Sequence, residues 1–126
     1  MEDYQGKKYR VIHCEGARES FESALEHAPK HLQDSYRARM RRIREYLADG
    51  RRLSKETFPK EGKLPDGSHF WALKKIPIRA YVWLSTKSQR TFYISHYIYK
   101  KRDKLVKSDI KRVCDNWRKI EEGEDE

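Results

Sequence analysis

The stretch Phe70–Lys100, FWALKKIPIRAYVWLSTKSQRTFYISHYIYK, decides the fold. Its apolar residues alternate with a period of two, whereas those before it recur at helical spacing. Phe70–Lys75 (FWALKK) reads as a strand with Ile76-Pro77 as its connection. Ile78–Ser85 (IRAYVWLS) reads as a second strand and Arg90–Lys100 (RTFYISHYIYK) as a third, longer one. Connections this short imply antiparallel neighbours. In the second strand Ile78, Ala80, Val82 and Leu84 share one face, while Arg79, Tyr81 and Trp83 share the other. Strict alternation in the third strand puts Phe92, Ile94 and Ile98 with the aliphatic set. It puts Tyr93, Ser95, Tyr97 and Tyr99 with Arg79.

Working outward, Lys8–Cys14 (KYRVIHC) is a short β-prone stretch. Ala17, Phe21, Ala24, Leu25 and Ala28 then recur at helical spacing until Pro29 breaks or restarts the helix. Leu32, Tyr36, Met40, Ile43 and Leu47 make a second stripe, which Asp49-Gly50 ends. The exposed face of that helix is expected to carry Arg37, Arg41 and Arg44, with Arg39 and Arg42 beside them. Arg52 to Ser68 reads as loop, and its Pro-Asp-Gly run as a turn into the first sheet strand. Beyond the sheet, Ser108 is the expected N-cap of a last helix, with Asp109 in its first turn. Ile110, Val113, Cys114, Trp117 and Ile120 form its stripe, and Glu121–Glu126 (EEGEDE) reads as a disordered acidic tail. The expected fold is α+β: an N-terminal strand, a helical hairpin over 17–49, a three-stranded antiparallel continuation and a C-terminal helix. Residues 1–120 make one domain, since 126 residues leave little room for a second core.

The net charge of +9 is uneven. Residues 69–119 hold 14 Lys/Arg against 3 Asp/Glu, a balance of +11. A field of that sign attracts polyanions, although lysine also serves solubility. Two cysteines a hundred residues apart form neither a disulfide framework nor a zinc-ligand spacing. A reducing compartment is expected. With no apolar run long enough for a membrane span and no hydrophobic signal core at the N-terminus, the expectation is a cytoplasmic protein without a membrane partner. His27 and His31 are four apart but flank Pro29 and have no third ligand, so no metal site is expected there. No cofactor is expected, because no nucleotide-binding glycine loop or nucleophile elbow occurs.

The order strand, two helices, three strands, helix resembles the RelE/ParE toxin superfamily. Trp71-Ala72-Leu73-Lys74 is similar to the aromatic-x-Leu-basic strand of HigB-like members, and Arg79 followed by Tyr81 to the family's arginine-bearing strand. His96-Tyr97-Ile98-Tyr99-Lys100-Lys101, with Lys104 and then Ser108-Asp109-Ile110, resembles the H-x-F-x-K-K-x-x-K stretch of HigB and phage Gp49-like proteins. The alternating lysines of RelE itself are replaced here by Phe70 or Ala72, with Lys74 and Lys75 only at the strand end. The histidine-bearing HigB pattern is the better fit.

The resemblance implies the toxin of a type II toxin–antitoxin pair: an endoribonuclease cutting mRNA on the ribosome without metal, neutralised by an antitoxin protein. Such cleavage needs a base for the 2′-OH, cations for the phosphorane and an acid for the leaving oxygen. His96 is the candidate for proton transfer. Alternation instead makes it a core histidine beside Ile94 and Ile98, unless a bulge turns it. Arg79, a lone charge in an apolar strand, is either a phosphate clamp or the partner of a helix carboxylate. Lys101 and Tyr99 are further catalytic candidates. Lys74, Lys75, Tyr97, Lys100, Arg102 and Lys104 are candidates for RNA contact, the tyrosines by stacking unless they simply cover the sheet. His69 is a reserve. Two other functions remain open: a ParE-like inhibitor of DNA gyrase, and a non-catalytic RNA- or ribosome-binding module of the same fold.

Overall fold

The computed structural model describes residues 3–74, 77–100 and 105–123. The fold is α+β, with a six-stranded mixed sheet and three α-helices among those residues. The strands are β1 (Tyr4–Gln5), β2 (Arg10–His13), β3 (Lys60–Lys63), β4 (His69–Lys74), β5 (Ile78–Leu84) and β6 (Thr91–Tyr99). The helices are α1 (Ala17–Glu26), α2 (Gln33–Ala48) and α3 (Lys107–Glu121). The sheet order is β1-β2-β6-β5-β4-β3.

The expected antiparallel run β4-β5-β6 is present. The sheet as a whole is not antiparallel, however, because β2 lies parallel to β6, with Arg10 opposite Thr91 and His13 opposite Ile94. The helical hairpin carries the chain back across the sheet, so the N-terminal strand can join the last one in the same direction. Two strands escaped the sequence reading. β1 has only two residues. β3 lies in what reads as loop, and its sequence, KEGK, has no apolar residue to mark it. Gly62 allows β3 to lie close over β4: a Cβ there would sit 2.6 Å from the Phe70 ring.

Two cores form, one on each sheet face. The α1–α2 hairpin buries Phe21, Leu25, Met40, Ile43 and Leu47 against Leu73, Ile78, Ala80, Val82, Phe92 and Ile94. On the opposite face, Val113 and Trp117 of α3 pack on Phe70, Ala72, Tyr81 and Trp83. Leu84, expected in the first core, is 46% exposed at the strand end. Gly50 ends α2 at φ 76°, with Arg51 N–H donating to Tyr46 O at 3.0 Å and Gly50 N–H to Leu47 O at 3.1 Å.

Three more expectations change. Ser108 is not the N-cap of α3: the helix starts at Lys107, with Val106 in the cap position. Arg44 is not on the solvent face but 5% exposed, because its side chain turns between Phe21 and Tyr97. Glu121 does not belong to a tail, since it is the last residue of α3 and the hub of the contact with the β5–β6 hairpin. Its carboxylate accepts from Trp83 Nε1 at 3.1 Å, Ser85 Oγ at 3.0 Å, and the backbone N–H groups of Thr86 and Lys87 at 2.9 Å each. Burial alone would raise this carboxyl; those donors outweigh it and hold it below the usual range.

A buried histidine–aspartate pair under the C-terminal helix

One residue of β6 has no partner on β5. Tyr81 faces His96 and Val82 faces Ile94, so Ser95 is the extra residue of a β-bulge. Beyond the bulge the faces exchange. Tyr97 joins the α1–α2 core and Tyr99 packs against it, while Ile98 packs against the α3 core. Tyr97 and Tyr99 therefore do not lie with Arg79, as strict alternation required; His96 takes that place.

Register then assembles one corner of the sheet under α3. Lys74 lies opposite Arg79 and Arg79 opposite Ile98, while Ala72, Tyr81 and His96 form the next row. Of the site expected from sequence, Lys74, Arg79 and His96 thus share a face. Half-buried Lys100 follows Tyr99 at the same end, its N–H donating to Pro77 O at 2.7 Å. Lys75, Lys101, Arg102 and Lys104 lie outside the described residues.

This corner is closed. Arg79 is 8% exposed, and its Nη1 stands 3.9 Å from Glu61 Oε1. That carboxylate comes from strand β3. His96 is 0% exposed, and both ring nitrogens are engaged. Asn116 Nδ2 donates to Ser95 Oγ at 2.9 Å. Ser95 Oγ then donates to His96 Nδ1 at 2.8 Å, and His96 Nε2 donates to Asp109 Oδ1 at 3.0 Å. That tautomer leaves each donor with an acceptor and ends the chain on a carboxylate. Burial lowers the pKa of His96, Asp109 opposes the shift and Arg112 adds to it, so the ring is neutral. Tyr81 leans on this ring with centroids 5.3 Å apart. Its buried hydroxyl has no hydrogen-bond partner among the described residues. Burial first, then Asp109 and Glu61, hold the phenol above its usual pKa.

A second chain of the same kind occupies the other face. Tyr97 is 2% exposed, which removes it from any stacking surface. Arg44 Nη1 donates to its hydroxyl at 3.1 Å, the hydroxyl donates to His13 Nε2 at 2.8 Å, and His13 Nδ1 donates to Asp3 at 3.1 Å. Burial pushes the His13 imidazole down to about 4. Tyr99 is half-buried, its ring 5.8 Å from that of His27. These rings line a groove of about 600 Å³ between α1 and the end of β6, with Ser20, Ser23 and Arg112 on its walls.

Sequence reasoning missed Ser95, Asn116, Glu61, Asp3 and the roles of His13 and Asp109. The one available signal was an acidic residue in the first turn of α3, thirteen positions after His96. His69 is half-buried at the start of β4, and His27 and His31 are exposed. No group of His, Cys, Asp and Glu suited to a metal occurs among the described residues. No helix of the described residues is long and apolar enough to cross a membrane. No protein-family model, curated protein or solved structure matches the chain.

Proposed function

We propose that this chain is an RNA-directed toxin of the RelE/HigB type, an endoribonuclease that cuts mRNA on the ribosome and is silenced by a partner antitoxin. The observation that carries this reading is the Ser95 bulge, which turns His96 onto the face of Arg79 and Lys74. A proton-transfer group, a phosphate-binding guanidinium and an ammonium then share one corner. The order of elements and the +11 balance of residues 69–119 support the same reading. In this scheme the 2′-OH attacks the adjacent phosphorus and its proton leaves to a base. Arg79 holds the phosphate oxygens, and the 5′-oxygen departs with a proton from an acid. His96 serves in one of the two proton transfers. Substrate reaches it when the first turn of α3 withdraws Asp109 and Glu61 releases Arg79.

A specific observation favours a second reading, a non-catalytic RNA- or ribosome-binding module: His96 is fully buried with both nitrogens engaged. Incubation with mRNA-programmed ribosomes separates the two. The toxin reading expects cleavage that falls by about 10²–10⁴-fold in His96→Ala, and a comparable loss in Arg79→Ala, with both variants shown by melting to be folded. Cleavage at the normal rate in folded His96→Ala sinks the role of His96. Salt-dependent RNA binding without cleavage leaves the module. Loss of gyrase supercoiling without either replaces both with the ParE-like function.

A further inference from the structure

A second cationic surface lies at the opposite end of the sheet from Lys74 and Lys100. There the segment leading into β2, the start of β6 and the end of α2 converge. Arg10 N–H donates to Arg90 O at 2.8 Å, and the N–H groups of Lys8 and Tyr9 donate to Ala48 O at 3.0 and 2.8 Å. Between Lys8, Tyr9 and Arg90 lies a pocket of about 220 Å³. Its floor is firm, since the Tyr9 ring packs on Phe92 with centroids 4.8 Å apart. Lys8 lays its stem against Gly50, where a Cβ would meet Lys8 Cδ at 2.3 Å.

Two features leave these cations available to an anion. Some cations elsewhere have carboxylates: Arg37 pairs with Glu22, Lys111 with Asp115 and Arg18 with Asp3. Lys8, Arg10 and Arg90 are all exposed, and none has an ion pair among the described residues. Arg90 also has φ 50°, the one positive φ outside glycine among the described residues. A left-handed L-residue costs roughly 1–2 kcal/mol. Glycine would avoid that cost, so the hairpin carries strain with a guanidinium at its corner.

We propose that the Lys8–Tyr9–Arg90 pocket holds one backbone phosphate of single-stranded RNA, as a second contact remote from the His96 corner. The inference rests on the RNA reading above. An arginine and a lysine flanking a recess that admits a phosphate suit that group, which they hold by charge-assisted hydrogen bonds. β6 spans nine residues, so the two ends are about 30 Å apart. A strand engaging both would run along the sheet instead of ending at the corner.

The test is fluorescence anisotropy of a labelled 12-nucleotide single-stranded RNA across a KCl series, with wild type, Lys8→Ala, Arg90→Gly and the double variant. Arg90→Gly relieves the left-handed strain, so it should melt at or above the wild-type temperature while binding RNA more weakly. The double variant should bind about tenfold more weakly or worse at low salt. Its slope of log K against log salt should shrink by about 0.7, one phosphate of a single strand. Unchanged affinity and slope in a double variant of a binding wild type overturn the pocket and leave the RNA reading intact. A wild type that binds no RNA at low salt overturns both. Binding of poly-glutamate through Lys8 and Arg90 without RNA binding also overturns the proposal, in favour of an acidic protein partner.

Discussion

His96 Nε2 and Asp109 Oδ1 meet 3.0 Å apart across the interface of β6 and α3, with the histidine wholly enclosed and the aspartate in the first helical turn. The pair does three things together. It gives a buried N–H an anionic acceptor, it holds the start of α3 on the sheet, and it places a carboxylate at the helix N-terminus, where negative charge is favoured. Glu121 fastens the other end of α3 through Trp83 and the Ser85–Lys87 turn. The helix is clamped at both ends by acidic residues.

Asp109→Asn should weaken the clamp at its first turn. A neutral acceptor remains, so the expected loss is about 1–2 kcal/mol and not unfolding. Thermal melting measures it. If α3 guards a nuclease site, the same variant should also cleave ribosome-bound mRNA faster than wild type. A less stable protein with lower cleavage would count against a guarding role.

Glu121→Ala leaves the Trp83 indole N–H and the Thr86 backbone N–H without their acceptor, while the Lys87 N–H keeps Ser85 Oγ at 3.2 Å. A loss of about 1–3 kcal/mol is expected. A changed near-ultraviolet signal from Trp83 should accompany it. Unaltered melting would mean that the α3 end contributes nothing to the fold.

The tyrosine hydroxyls should respond in opposite ways. Tyr81→Phe removes a buried hydroxyl with no hydrogen-bond partner among the described residues, so stability should hold or rise by about 1 kcal/mol. Tyr97→Phe strips an acceptor from Arg44 and a donor from His13, and should cost about 1–3 kcal/mol. Adding Arg44→Met to Tyr97→Phe should recover part of that loss, because the buried cation leaves with its acceptor. Equal losses for both tyrosines in urea titrations would contradict the hydrogen-bond pattern.

Stability should fall on acidification. His13 and His96 are neutral in the fold because burial lowers both, His13 to about 4 from an ordinary value of 6.5. The unfolded chain takes up protons on both rings below pH 6.5, while the folded chain resists. The stabilisation is therefore complete above that pH and is lost as pH drops towards 4. The His13 share is on the order of 3 kcal/mol. Urea midpoints at pH 7.5 and 4.5 report it; a midpoint that does not move would show that the rings are charged or exposed in the fold.

The sequence by itself determined the elements that periodicity governs. The stripes of Phe21 and Leu25, of Met40, Ile43 and Leu47, and of Val113 and Trp117 are all buried as their spacing requires. The strands β4, β5 and β6 follow from alternation, and the two sides of β5 separate as read up to Leu84. The tertiary structure decided what a period of two cannot contain. Ser95 adds one residue to β6, and each later side chain moves to the opposite face. His96 therefore reaches the Arg79 face while Tyr97 enters the core. β3 exists because β4 offers an edge to pair with and Gly62 fits over Phe70, neither of which is a local property of KEGK. The carboxylates Asp109, Glu61, Asp3 and Glu121 have no partner legible in the sequence. Each found its place because a buried donor from a distant element needed an acceptor, a demand that arises only when helix and sheet close over it.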